Sequence, residues 1–392
     1  MTPAARLQAA IELLDNVIAA SRERGPPADR LIADYFRRRR YAGAKDRRAV
    51  RDFVYAAIRA CGPIPANGRA AMLRLVEKEP DLASLFDGST HGPAPIRAGE
   101  HPAAGGIASA WLEQRLAASG IAGDEAAALL GRAPLDLRVN TLRAQSGELD
   151  LPVSGEPLVA PQGLRLPAGT VVEQWDAYRD GLVEIQDHGS QWACAAVGAR
   201  PGETVIDLCA GAGGKTLALA ASMNNEGVLI ASDTDRGRLS QLPERAARAG
   251  VANMRPVLLN PGRELEALAE WQGQADAVLV DAPCSGTGTW RRNPELRWRL
   301  TPDGLDRLVA VQARLIRIAA QLVRPGGRVV YVTCSLLDEE GAAHVATVGA
   351  EGLALNPDPV PLPIGRPRGG GTRLTPAHDG TDGFFIAQLC KP

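Results

Sequence analysis

Between residues 186 and 392, short apolar runs alternate with helical patterns. The runs are Thr204–Leu208, Val228–Ser232, Met254–Leu259, Ala277–Val280, Arg328–Val332 and Phe384–Leu389. Mostly apolar runs of this kind suit buried strands, with helices covering them. The alternation predicts an α/β fold with a mostly parallel, doubly wound sheet. Strand ends in such a sheet converge on one crevice. The residues just after each run are therefore the ones placed for chemistry.

Three strand ends carry reactive or Gly-rich segments. The first is Asp207-Leu-Cys-Ala-Gly-Ala-Gly-Gly-Lys-Thr216. Gly211, Gly213 and Gly214 allow a sharp turn and close approach to a ligand. Lys215 and Thr216 then open a helix, whose N-terminal amides favour negative charge. Asp233 ends the next strand, where an acid can hydrogen-bond ribose hydroxyls. Together these features imply an adenosine-containing cofactor. The second segment is Asp281-Ala-Pro-Cys284, a carboxylate and a thiol that can both reach a flat ring. The third is Thr333-Cys334-Ser335. The pattern after it, Leu336-Leu337-Asp338-Glu339-Glu340, reads as a helix start that favours a thiolate. A lone cysteine after a strand is usually a core residue. Two at neighbouring strand ends point instead to thiolate attack on a substrate beside the cofactor.

The stretch Trp290-Arg291-Arg292-Asn293-Pro294, with Arg297-Trp298-Arg299, interleaves basic and aromatic side chains. Beside a catalytic strand end it reads as substrate contact with phosphates and stacked bases. Cys61, Cys194 and Cys390 lack such a setting and read as packing residues. The 6 cysteines form neither a disulfide framework nor a zinc pattern, which fits a reducing compartment. The 5 histidines show no ligand spacing, so no metal is expected.

The net charge of −1 hides an uneven distribution. Residues 1–60 carry 13 Lys+Arg against 7 Asp+Glu, including the run Arg37–Arg40. That run suits either a solvated helix face or a phosphate-binding patch. Leu7, Ile11, Leu14 and Ile18 recur at helical spacing, and Val50, Phe53, Val54 and Ile58 form another apolar face. Residues 1–130 read as an all-helical domain. Residues 131–185, richer in Pro and Gly with short alternating runs, read as a small α+β subdomain. Residues 186–392 form the α/β domain. Neither a signal peptide nor a membrane span is read from the chain, and a cytoplasmic protein is expected.

At these motifs the sequence resembles the RsmB/Nop2/Sun RNA cytosine-5 methyltransferases over about residues 130–392. Asp281-Ala-Pro-Cys284-Ser and Tyr331-Val-Thr-Cys334-Ser carry the resemblance as a pair. Gln186-Asp187 with Ser190, and Asp382-Gly-Phe-Phe385, are similar to the segments that open and close the family's methyltransferase fold. Residues 134–143 resemble its small RNA-binding-like subdomain. The N-terminal helices resemble a shortened NusB-type domain, as in the bacterial 16S rRNA branch. The resemblance implies a Rossmann-like methyltransferase domain, S-adenosylmethionine as cofactor and RNA, with rRNA foremost, as substrate. No metal, membrane or obligate protein partner is implied.

By position, the resemblance makes Cys209, Ala210, Gly211, Ala212, Gly213, Gly214 and Lys215 the cofactor loop. Asp233 falls on the ribose, Asn260 near the adenine and Asp281 between cofactor and base. Cys334 becomes the nucleophile and Cys284 the partner in product release, with Asp281 and Lys215 completing the catalytic set. The loop reads Ala210-Gly-Ala212-Gly where the family has Ala-Ala-Pro-Gly, and Asn260 stands where Asp is common. Other RNAs, tRNA among them, are alternative substrates. A DNA cytosine-5 methyltransferase would instead take its nucleophile from Pro283-Cys284. A non-enzymatic RNA-binding assembly factor would need none of these groups.

Overall fold

The computed structural model describes residues 1–23, 25–145, 149–348 and 352–392. Two compact units are present. One comprises Met1–Gly131 with Thr289–Thr301, the other Arg132–Gly288 with Pro302–Pro392.

In the first unit, helices Pro3–Glu23, Ala28–Arg38, Ala44–Ala60 and Gly68–Lys78 share one core. Leu7, Leu14, Val54, Ile58 and Met72 are buried there, at the helical spacing read from the sequence. Asn67 begins the fourth helix by accepting a hydrogen bond from the Ala70 amide at 2.8 Å. Two short helices, Ala110–Ala118 and Gly123–Ala128, come next. Arg37 pairs with Asp34, and Arg39 lies 3.7 Å above the Tyr35 ring, so the basic run is partly engaged within the unit.

The segment 289–301 corrects an expectation. Its Arg297 and Trp298 are buried within the helical unit rather than presented to a substrate. The Arg297 guanidinium donates to the carbonyls of Ile58 and Cys61, both at 2.6 Å. These carbonyls lie at the C-terminal end of helix Ala44–Ala60, where the Cys61 amide also donates to Ile58 O at 3.3 Å. Trp298 Nε1 donates to the Gly62 carbonyl at 3.1 Å, and Arg299 to those of Gly25 and Pro26. Arginine suits this place because one planar fork reaches several carbonyls. Burial pushes the Arg297 pKa down to about 10. Arg297→Met is expected to cost about 3 kcal/mol in urea unfolding, because it removes charge-assisted hydrogen bonds to buried carbonyls. An unchanged midpoint would mean that the helix end is satisfied another way.

The second unit holds two sheets. The smaller contains β1 (Leu135–Val139), β2 (Glu156–Pro157), β3 (Gly163–Leu166) and β4 (Val183–Ile185), all antiparallel in the order β2-β3-β1-β4. The larger contains β5 (Thr204–Asp207), β6 (Val228–Asp233), β7 (Met254–Leu258), β8 (Ala275–Asp281), β9 (Val323–Thr333), β10 (Asn356–Pro357), β11 (Arg366–Arg368), β12 (Gly371–Leu374) and β13 (Phe384–Cys390). Its order is β11-β12-β13-β9-β8-β5-β6-β7, with β10 paired to β13. Strands β5 to β9 run parallel, and β13 and β12 add antiparallel. All six apolar runs lie as strands in this sheet. The β11–β12 hairpin has no such run, being short and rich in Gly and Pro.

The chain runs outward from β5 through β6 to β7, then returns to place β8 on the other flank of β5. This reversal is the topological switch point, where doubly wound sheets bind ligands beyond the strand ends. The smaller sheet is tied to the helices of the larger by polar contacts: Glu184 with Arg245 and Arg248, Asn140 with the Ala249 carbonyl, and Gln186, which also holds Arg138, with the Gly214 carbonyl.

Candidate active site

β5 feeds the Gly-rich loop. Gly211 and Gly213 have φ of 56° and 90°, a region that L side chains rarely adopt. A Cβ at Gly213 would stand 2.0 Å from Leu242 Cδ1, so a side chain there would also have to displace that leucine tip. Helix Gly214–Ser222 starts directly afterwards. Thr216 Oγ1 donates to Asp207 Oδ2 at 2.7 Å. Asp207 is buried beneath the loop, and that burial raises its pKa to about 7.

Asp233, at the end of β6, accepts from the Gly211 amide on Oδ2 and from the Asp235 amide on Oδ1, each at 2.7 Å. Each carboxylate oxygen keeps further acceptor capacity. A cavity of about 460 Å³ opens here. Cys209, Asp233, Asp281, Pro283, Cys284 and Cys334 contribute to its wall, so the three strand-end segments do meet at one place. Leu208, Leu259 and Leu315 supply apolar surface. Asn260 is exposed and does not line the cavity; Leu259 and Glu264 do. Glu264 pairs with Arg314 at 3.0 Å. Sequence reasoning missed both, because they come from separate helices.

At the other end of the cavity the two thiols face one another, with 3.3 Å between Cys284 Sγ and Cys334 Sγ. Cys284 is held well above the usual thiol range, first by its hydrogen bond to Cys334, then by burial and by the Cys334 and Glu340 charges. Lys215 Nζ donates to Asp281 Oδ2 at 2.7 Å. Burial lowers the Lys215 pKa, but the charge of Asp281 and further negative partners outweigh it and leave the pKa raised. Cys209 is pushed up by burial, which favours its neutral thiol. No α-helix starts directly after Cys334. A 3-10 turn over Asp338–Glu340 precedes helix Ala342–Val348, so the expected helix N-terminus does not act on the thiol.

Hydrogen bonds link the two cysteine loops. Cys334 O accepts from the Gly288 amide at 2.9 Å. Thr287 Oγ1 accepts from the Leu336 amide at 2.8 Å and lies 3.1 Å from Ser335 Oγ. Gly288 also faces Gly383, whose carbonyl oxygen would be 2.2 Å from a Cβ at 288. A side chain there would force the Cys284 loop off the closing strand.

Residues 195–390 match the sequence profile of 16S rRNA methyltransferase RsmB/F. The chain belongs to this family. The ribosomal RNA small subunit methyltransferase B of Xanthomonas campestris is 33% identical over 293 residues, covering 72% of this chain and 66% of that protein. The chain spans between 59% and 66% of the length of curated relatives with such names. Among solved structures, PH0851 covers the whole chain with a TM-score of 0.78 and 25% identity. NSun6 from Pyrococcus horikoshii, solved with the S-adenosylmethionine analogue SFG, covers 71% of this chain and 97% of its own, with a TM-score of 0.63. At 21% identity that likeness speaks to the fold alone.

The cavity fits the cofactor that an RsmB/F fold implies. Its volume lies in the usual range for small-ligand sites. Asp233 can accept from hydroxyls, leucines can flank a flat ring, and Asp281 and Asp235 supply negative charge for a sulfonium. Among the described residues, no group of His, Cys, Asp and Glu is placed to hold a metal, and no helix is long and apolar enough to cross a membrane.

Proposed function

We propose that this chain methylates C5 of a cytosine in RNA, with 16S rRNA as the substrate, through a covalent bond from Cys334 to C6 of the ring. The observation that carries the reading is the thiol pair, 3.3 Å apart in the wall of a cavity that also holds Asp233 and Asp281. Membership of the RsmB/F family supports the substrate class and S-adenosylmethionine as cofactor. A cytoplasmic location accords with that substrate.

S-adenosylmethionine supplies an electrophilic methyl group on a sulfonium. The loop from Cys209 to Lys215 and Asp233 would hold it, with Leu259 and Glu264, rather than Asn260, beside the adenine. Cytosine C5 is too weak a nucleophile to take the methyl group unaided. Attack by the Cys334 thiolate on C6 forms a C–S bond and moves the ring electrons to C5. Asp281, oriented by Lys215, accepts from the exocyclic amine and steadies the ring. C5 would then be the nucleophile for the methyl group that S-adenosylmethionine supplies. Water takes the C5 proton, the C5–C6 double bond re-forms, and Cys334 leaves as a thiolate to which the neighbouring Cys284 thiol can donate its proton. The base must be unpaired or flipped to enter.

The test is methyl transfer to 16S rRNA with bisulfite sequencing of the product. A single cytosine protected from conversion is expected. Transfer to a base nitrogen, or none, would overturn the reading.

A further inference from the structure

Glu340 is fully buried and lies on the loop after Cys334. Its carboxylate crosses to the other cysteine loop. Oε1 accepts from the Ser285 amide at 2.8 Å, and Oε2 accepts from the Ser285 hydroxyl. Ser285 directly follows Cys284. Gln312, from helix Pro302–Leu322, donates through Nε2 to both Glu340 Oε1 and the Pro283 carbonyl, each at 2.9 Å. The residues on either side of Cys284 are thereby fixed by one carboxylate and one amide. Glu340 is itself anchored, because its carbonyl accepts from Tyr331 Oη at 2.7 Å. Ser335 Oγ lies 3.2 Å from Ser285 Oγ and extends the network to the residue after Cys334.

A buried carboxylate is costly unless its hydrogen bonds are made. Here three donors converge on it, all belonging to or aligned with the Cys284 loop. A packing role alone would be met by an apolar side chain at lower cost. Reading the site as a two-cysteine methyltransferase, we propose that Glu340 is a positioning residue that holds Cys284 in its release geometry opposite Cys334 by clamping Ser285.

A second observation agrees with the geometry. The negative charge of Glu340 adds to the hydrogen bond and burial that keep Cys284 protonated. A protonated Cys284 does not compete with Cys334 for the base. The other titratable groups around Cys284 are Cys334, Tyr331 and, across the cavity, Cys209 and Asp281.

The test uses the full chain, first without RNA. Iodoacetamide labelling is read by peptide mass spectrometry from pH 6 to 10. Glu340→Gln keeps the shape and an acceptor for Ser285 but removes the charge. Its Cys284 labelling profile is expected to move to lower pH than in the wild type, because one of the negative charges that hold the thiol protonated is gone. In folded Glu340→Ala, where both the charge and the contacts to Ser285 are gone, a Cys284 profile superimposed on wild type would overturn the proposal.

A second arm uses rRNA and a denaturing gel. Glu340→Ala is expected to accumulate covalent RNA–protein adduct, with adduct formation retained, as expected also of Cys284→Ala. Ser285→Ala, which loses only the hydroxyl contact, is expected to show a smaller accumulation and stands in if Glu340→Ala fails to fold. Normal turnover without adduct in either would contradict the clamp. If no variant and no wild-type protein forms an adduct, the methyltransferase reading fails, while the labelling profile still reports on Glu340.

Discussion

Cys334→Ala is expected to lose methyl transfer to RNA by roughly four orders of magnitude or more, the scale seen when a covalent nucleophile is removed. The reason lies in the ring. Without a bond at C6, C5 has no electron pair to offer the methyl group. Nothing else lining the cavity replaces that bond at the same position. Cys284 is 3.3 Å away, but its proton is held by the hydrogen bond to Cys334, by burial and by nearby negative charge. Cofactor affinity should stay within about twofold, because the loop from Cys209 to Lys215 and Asp233 is untouched. Single-turnover transfer and calorimetry measure the two quantities separately. Substantial transfer by Cys334→Ala would rule out the covalent step.

The second large effect is expected from Cys284→Ala. Attack by Cys334 and methyl transfer should proceed once, and release should then fail. The enzyme would show a burst of at most one methyl group per molecule, with RNA retained on the protein in a denaturing gel. Both consequences arise from the position of Cys284 beside the sulfur that must leave. Alanine removes the thiol without adding bulk, and the Ser285 contacts to Glu340 remain to hold the loop. Repeated turnover at the wild-type rate would show that Cys284 is a bystander.

Legibility in the sequence depended on distance along the chain. The central parallel strands are read closely because a strand buried on both faces is largely apolar, whereas β7 at the edge carries exposed Arg255 and Pro256; β6 extends only to Asp233, one residue past the run. The meeting of Cys209, Asp281, Cys284 and Cys334 could be inferred from strand ends alone, since parallel topology brings those ends to one edge. The features that were not legible depend on long-range contacts. Glu340 reads as one of three consecutive acids on a helix start, yet it reaches back 55 residues to Ser285. Nothing local marks Gln312 or Arg314 on an otherwise ordinary amphipathic helix.

Arg297 and Trp298 show the opposite failure. Their local pattern fits a nucleic-acid surface, but the carbonyls they satisfy lie more than 230 residues earlier, at Ile58, Cys61 and Gly62. Basic and aromatic side chains look alike in sequence whether they serve a phosphate or a helix end. Asn260 falls between these cases. It does sit just after β7, but its side chain is exposed, and Leu259 and Glu264 form the wall instead.

The proposed chemistry turns on which sulfur attacks. Ribosomal RNA containing 5-fluorocytidine, incubated with the protein and S-adenosylmethionine, traps the adduct because C5 has no proton to lose. Digestion and mass spectrometry then identify the modified cysteine. The nucleotide is expected on the peptide containing Cys334. A nucleotide on Cys284 would contradict this assignment and place the chemistry with the DNA-type enzymes.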